Sequence, residues 1–356
     1  MGTHTFHYRL HDLASLRLSV HDATTRRARM LDMRFSACRA AAPAASPDVA
    51  LDIGAFQPDL PGDAVIIDKD FHIAPDYLFF RGGRGGGATE LRGLEPGAAI
   101  RIRHEPYRES LHRRLGSGLR GMTMYLDPMI AWHLRQHDAW LLHAGAIQRG
   151  ATTVLVLGSN GAGKTRLILD LCLNHGWSFL ADDLVIYRDG LVYPCPEHEF
   201  VLQQRALAMA RGGKPSYGLR ALWSHLGNGA MARCERLHLS TAPAPVTRLA
   251  ILDCEPAGAA PSARSADPAE LWDRAVALEQ FERVKNQRRH RQVTNITRFL
   301  MAYEYACPHR PIFQSLLLER PTVPTPLAGL PACRLVSNGR QHDELTALAQ
   351  ERWAAP

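Results

Sequence analysis

The chain has 356 residues, of which 46% are hydrophobic and 22% charged, and its 42 Lys plus Arg against 35 Asp plus Glu give a formal charge of +7. That length buries a sizeable core and predicts about two domains, while every apolar stretch breaks well short of the roughly 18 residues of a membrane-spanning helix, which excludes a membrane partner. A charge excess this modest suits polyphosphate and an acidic substrate and argues against nucleic acid.

Residues Met1 to Leu10 lack the basic-then-apolar order of a signal peptide, so the chain reads as cytoplasmic. Up to residue 115, short alternating runs such as Ala64 to Ile67 and Ala99 to Arg103 are separated by Gly and Pro turns, with loops at Ala40 to Pro47 and at the Gly-Arg stretch Arg81 to Gly87. This predicts a smaller, mainly β amino-terminal domain over 1–115. Met122 to Gln136 reads as a helix with Pro128 near its start, leading into an apolar strand, Trp140 to Ala144, that carries His143. A buried strand follows at Thr152 to Leu157, then a helix from Lys164 to His175 that is apolar at Leu167, Ile168, Leu171 and Cys172 and is ended by Gly176. Next comes an apolar strand, Trp177 to Tyr187, interrupted by two carboxylates. Beyond it lie a loop at Pro256 to Pro268, a helical span from Leu271 to Tyr305 with the basic cluster Lys285 to Arg291, and a second loop at Pro321 to Pro331. A strand at Cys333 to Val336 and an amphipathic helix at Glu344 to Trp353 close the chain. This order predicts an α/β domain over 116–356. The cysteines Cys38, Cys172, Cys195, Cys234, Cys254, Cys307 and Cys333 are scattered with no C-x-x-C pair, which points to reduced thiols and away from structural zinc.

Between the Thr152 strand and the Lys164 helix stands Gly158, Ser159, Asn160, Gly161, Ala162, Gly163, Lys164, Thr165, a match to the phosphate-binding loop G-x-x-x-x-G-K-[ST] at every fixed position. The chemistry needs these residue types. Glycines let the backbone curl so that successive N–H groups point at phosphates, Lys164 places a charge between the terminal phosphates, and the Thr165 hydroxyl ligates Mg²⁺. ATP and Mg²⁺ are the expected ligands.

The adjacent Asp182 and Asp183 lie among Phe179, Leu180, Leu184 and Val185. Burying two like charges in a strand costs free energy unless a cation or an acid/base role compensates. One aspartate suffices to hold the metal, so the second suggests a base for an attacking hydroxyl. The bland alternative is a solvated Asp-Asp turn between two short strands. His143 has a bland reading as well, as a hydrogen-bonded core histidine.

Taken together, His143, the loop from Gly158 to Thr165, and the phrase His175-Gly176-Trp177-Ser178-Phe179-Leu180-Ala181-Asp182-Asp183 resemble the catalytic core of bacterial HPr kinase/phosphorylase and its relatives. The resemblance implies a P-loop kinase core of the type shared with the C-terminal part of phosphoenolpyruvate carboxykinase. It also implies roles by position: Lys164 and His143 assist transfer, Thr165 and Asp182 serve the metal, and Asp183 accepts the proton of the substrate serine. One signature of that family, Glu-[Ile/Val]-Arg-Gly after the Asp pair, is missing. The stretch from Pro194 to Arg205 offers Glu197 and Glu199 at a different spacing. That puts the phosphorylase reaction, and HPr as the substrate, in doubt, and the chain looks more like the divergent relatives that phosphorylate a serine of a precursor peptide.

The sequence thus predicts an ATP-dependent kinase acting on a serine or other hydroxyl of a protein or peptide, with homo-oligomerisation left open. Two rivals stand beside it: a kinase of a small molecule such as an amino acid or sugar, and an ATP-binding regulator without turnover. Arg205, Arg211, Arg283 and Arg288 are candidates for the cation that assists transfer.

Overall fold

The computed structural model describes residues 2–23, 28, 31–32, 35–81, 87–105, 125–159, 161–195, 237–255, 260–289, 296–308, 310–319, 321–337 and 341–354. The fold is mixed α/β, with three sheets and seven helices among the described residues. The helices are α1 (Asp127–Arg135), α2 (Lys164–Asn174), α3 (Pro268–Arg289), α4 (Ile296–Ala306), α5 (Pro311–Phe313), α6 (Thr325–Ala328) and α7 (His342–Ala354). None is long and apolar enough to cross a membrane. The chain divides into two compact units, Met1–Ala139 with Gln280–Glu319, and Trp140–Glu279 with Arg320–Pro356. Sequence reading places the division at residue 115 and gives everything beyond it to one domain. The structure instead joins α1 and α4 to the amino-terminal strands, because their apolar faces are what cover that sheet.

The first unit is built on one sheet of β1 (Gly2–Leu10), β2 (Ala14–Ala23), β3 (Val49–Ile53), β4 (Val65–Ile67), β5 (Phe71–Ala74), β6 (Tyr77–Arg81), β7 (Ala88–Arg92) and β8 (Ile100–Glu105), in the order β1-β2-β3-β8-β7-β6-β5-β4. Alternation in the sequence sets its faces. Leu16, Leu18, Leu51, Ile53, Ile100 and Ile102 are buried at 2% exposure or less, whereas Arg101 between the last two is exposed. Against the apolar face, Phe299 of α4 meets Phe71 and Phe80, with ring centroids 5.7 and 5.3 Å apart. The polar side carries a ladder in which Arg17 pairs with Asp52 and Arg103 with the buried Glu90.

The second unit holds two sheets. The larger consists of β10 (Gly145–Arg149), β11 (Thr152–Leu157), β12 (Ser178–Ala181), β16 (Arg248–Cys254), β17 (Ser262–Ser265) and β18 (Ala332–Ser337), in the order β12-β10-β11-β16-β18-β17. In it β11, β16 and β18 run parallel, and β10 lies antiparallel between β12 and β11. The smaller has the order β15-β14-β13-β9 and uses β9 (Trp140–Leu142), β13 (Val185–Arg188), β14 (Leu191–Tyr193) and β15 (Ala244–Pro245).

Strand β11 shows why the layers form. After Thr152 and Thr153 its residues, Val154 to Leu157, are all apolar, as expected for a strand buried on both faces. Val154 and Val156 pack with Leu167, Ile168 and Leu171 of α2 and with Leu345, Ala349 and Trp353 of α7. Leu155 and Leu157 face the other way, toward Val185, Tyr187 and the α3 residues Trp272, Ala275 and Val276. Helix α2 ends where the sequence predicts, with Gly176 at φ 70 and the Trp177 N–H donating to the Leu171 carbonyl at 3.3 Å.

Five expectations need correction, the first being the loop expected over Pro321 to Pro331, which contains α6. The strand expected over Trp177 to Tyr187 is two strands in different sheets, because the chain bends at Asp182 and Asp183. Likewise the strand expected over Trp140 to Ala144 ends at Leu142, and β10 begins in the other sheet at Gly145. The loop expected over Pro256 to Pro268 contains β17, which completes the sheet edge against β18. The single helical span over Leu271 to Tyr305 is divided into α3 and α4, with 290–295 outside the described residues.

Candidate functional site

The site stands at the carboxyl ends of β11 and β12, where open α/β sheets place their ligand crevices. Strand β11 runs into the glycine loop, and the loop opens into α2, whose first residue is Lys164. Gly158 has φ 139, and a Cβ there would collide with the carbonyl oxygen of Leu252 on β16. The parallel neighbour strand thus presses on the first loop residue, and only glycine meets both demands. The Lys164 ammonium, at 6% exposure, donates to the carbonyl of Gly158 and to that of Ser159 at 3.2 Å. Its charge is held inside the curl of the loop. Ala162 is packed into the core beneath it, Gly161 and Ser159 are exposed, and the half-buried Thr165 begins the second position of α2. Asn160 lies outside the described residues.

Two corners complete the arrangement. Strand β9 pairs with β13 in the smaller sheet, and β10 pairs with β12 in the larger. The chain therefore crosses from one sheet to the other twice at the same place, once through His143 and Ala144 and once through Asp182, Asp183 and Leu184. The double crossing brings His143 Nδ1 to 3.3 Å from Asp183 Oδ1. Asp183 sits at φ 73, a left-handed conformation that Asp tolerates better than most residues, and about a third of its side chain is open to solvent, with 36% relative exposure. His143 is 12% exposed, and its Nε2 is buried with no hydrogen-bond partner among the described residues.

Asp182 turns the opposite way. It is 2% exposed, and its Oδ1 lies so close to Gly145 that a Cβ there would stand 3.5 Å away, beside a collision with Ile168 of α2. Burial, and after it the nearby Asp182 carboxylate, push the Cys172 thiol of α2 well above its ordinary value. So the two adjacent carboxylates part company: one faces the loop helix, the other faces His143. The bland reading of the pair as a turn between short strands describes the backbone correctly, but Asp182 is buried rather than solvated.

Among the described residues no group of three His, Cys, Asp or Glu side chains is arranged to hold a metal ion. Mg²⁺ that arrives with a nucleotide needs only one or two protein oxygens, since phosphates and water supply the rest. The Thr165 hydroxyl and the buried Asp182 carboxylate fit that requirement in kind.

Of the arginines considered for transfer, Arg205 and Arg211 lie outside the described residues, and Arg283 and Arg288 fall in α3. Two groups escaped the sequence reading. Asp253, at the end of β16 beyond Leu252, accepts from Arg274 at 2.6 and 2.7 Å and from Arg334 at 2.6 Å. Burial raises its carboxyl, but those hydrogen bonds outweigh the burial and hold it below the ordinary carboxylate value. Glu279 of α3 accepts the backbone N–H of His143. No motif marks Glu279; its one signal is that it falls seven residues after Trp272 and three after Val276, on the buried stripe of α3, where an apolar residue is expected. No protein-family model matches the chain, and no curated protein matches it significantly.

Proposed function

We propose that the chain is an ATP-dependent kinase that transfers the γ-phosphoryl group to a hydroxyl, a serine of a protein or precursor peptide, on a P-loop core of the HPr-kinase type. The observation that carries this reading is the convergence of a complete phosphate loop with a buried carboxylate turned to the loop helix and a second carboxylate, about a third exposed, paired with a histidine. A nucleotide-sensing regulator has no need of the second carboxylate.

The residues divide the work. Loop N–H groups and the start of α2 bind the phosphates, and Lys164 exchanges its loop carbonyls for phosphate oxygens. Thr165 and Asp182 would hold Mg²⁺, which neutralises charge on the β- and γ-phosphates when bound. Asp183 takes the proton of the acceptor hydroxyl as that oxygen bonds to the γ-phosphorus and the bond to the β-phosphate oxygen breaks, releasing ADP. His143, within reach of Asp183, orients that carboxylate. The core of a catalytic step of this kind is positioning and charge neutralisation rather than covalent chemistry. We assign the activity to the cytoplasm, where ATP is supplied.

The test is incubation of the purified chain with γ-labelled ATP, Mg²⁺ and peptides encoded by neighbouring genes. A mass gain of one phosphate on a peptide, lost in Asp183→Asn, is expected. Absence of any ATP binding by the wild-type chain overturns the reading.

A further inference from the structure

We propose that Glu279 is a positioning residue for the His143–Asp183 pair, an inference that rests on the kinase reading for its effect on turnover but not for its effect on His143. Among the described residues, the His143 ring is held at one nitrogen. Nδ1 meets Asp183 at 3.3 Å, and Nε2 has no hydrogen-bond partner among the described residues. The location of the ring relative to Asp183 is therefore set by the backbone that carries it. That backbone is not part of either sheet, because β9 stops at Leu142 and β10 starts at Gly145. Within the gap the Ala144 N–H donates to the Leu142 carbonyl at 3.0 Å, which tightens the turn, and the His143 N–H donates to Glu279.

Glu279 is a firm anchor because the two turns of α3 that precede it are fixed in the same unit. Leu271 and Trp272 are 0% exposed, and Trp272 meets Trp140 of β9 edge to face, with ring centroids 5.1 Å apart. Arg274 is tied to Asp253 at the end of β16. A carboxylate on such a helix, bonded to a backbone amide that no strand holds, converts the placement of α3 into the placement of His143. What matters in this account is the reach of the side chain and its acceptor oxygen, not its charge.

Two near-isosteric variants separate reach from charge. Glu279→Asp keeps the charge and withdraws the carboxylate by one methylene, and Glu279→Gln keeps the reach and an acceptor oxygen but removes the charge. The ring ¹⁵N and ¹³C resonances of His143 report its surroundings with no substrate present. In E279D those resonances are expected to move, and kcat to fall about 10-fold or more with KM for ATP unchanged, since misplacement by about an ångström is costly in a transfer step. In E279Q the resonances stay within the wild-type range, and most of the turnover that E279D loses is retained. Unmoved His143 resonances in E279D overturn the proposal. So does an E279Q effect as large as that of E279D, because it assigns the role to charge. If no acceptor is ever phosphorylated, the kinase reading fails while the resonances still decide the role of Glu279.

Discussion

His143 Nδ1 and Asp183 Oδ1 stand 3.3 Å apart although each lies in a break between strands of two different sheets. The Asp183 side chain is 36% exposed, so in the proposed kinase it is accessible to an acceptor while it meets the ring. Replacing Asp183 by Asn keeps the shape and removes the basicity. Phosphoryl transfer should fall by roughly 10²-fold or more while ATP still binds. Near-full turnover in D183N, measured with a confirmed acceptor, would remove Asp183 from the role of base.

Lys164 is the loop's only cation and is already in hydrogen bonds to Gly158 and Ser159. Lys164→Ala should weaken nucleotide binding or the transition state by about 2 kcal/mol, the range for a hydrogen bond to a charged group. Isothermal titration and turnover together check this, and unchanged values of both speak against a phosphate role.

Gly158→Ala tests the contact with β16. The new methyl group has to displace the Leu252 carbonyl, and alanine is strained at φ 139. A stability loss of about 1–3 kcal/mol is expected, together with loss of nucleotide binding, measured by thermal unfolding with and without ATP.

The absent Glu-[Ile/Val]-Arg-Gly signature predicts a one-way enzyme. The stretch that would hold it falls largely outside the described residues, 196–236, so the expectation rests on sequence. Given its phosphorylated product with millimolar inorganic phosphate and Mg²⁺ and no nucleotide, the protein should not release pyrophosphate. Release at a rate comparable to the forward reaction contradicts this.

A pH effect follows from His342, at the start of α7. Its Nε2 lies 3.8 Å from Asp170 of α2, and Thr346 donates to the same carboxylate at 2.8 Å. Burial first, then the positive charge of Arg166, lower the His342 value, against smaller opposing effects of Asp170 and Asp343. A histidine depressed in the folded state binds fewer protons than in the unfolded chain. Stability is therefore fully present above the ordinary histidine value and declines as pH falls below it, by no more than about 1.4 kcal/mol per pH unit from this group. The melting temperature of His342→Asn should decline less between pH 7 and 5 than that of the wild type.

Much of this arrangement was legible from local pattern. The loop, the helix after it and the glycine that ends the helix follow from residues adjacent in the chain, and so does the alternation that makes the amino-terminal sheet. The corners were not legible. Trp140 to Ala144 and Trp177 to Tyr187 each read as one strand because periodicity reports which residues are buried and not in which sheet. Asp182 and His143 therefore looked like polar residues within strands, when they are the residues at which strands stop. Glu279 was invisible for a related reason: an acid on a helix is ordinarily solvated, and only the approach of β9 and β10 to α3 gives it a backbone partner.

Two crossings at one place act as paired stitches through two layers of cloth. A slip of one residue in either the β9–β13 or the β10–β12 register turns the affected side chains to the opposite face. Leu142, Ala146, Phe179 and Val185, all buried, would be carried out of the core by it. The apolar residues on either side of the two corners thus fix the register, and with it the distance from His143 to Asp183.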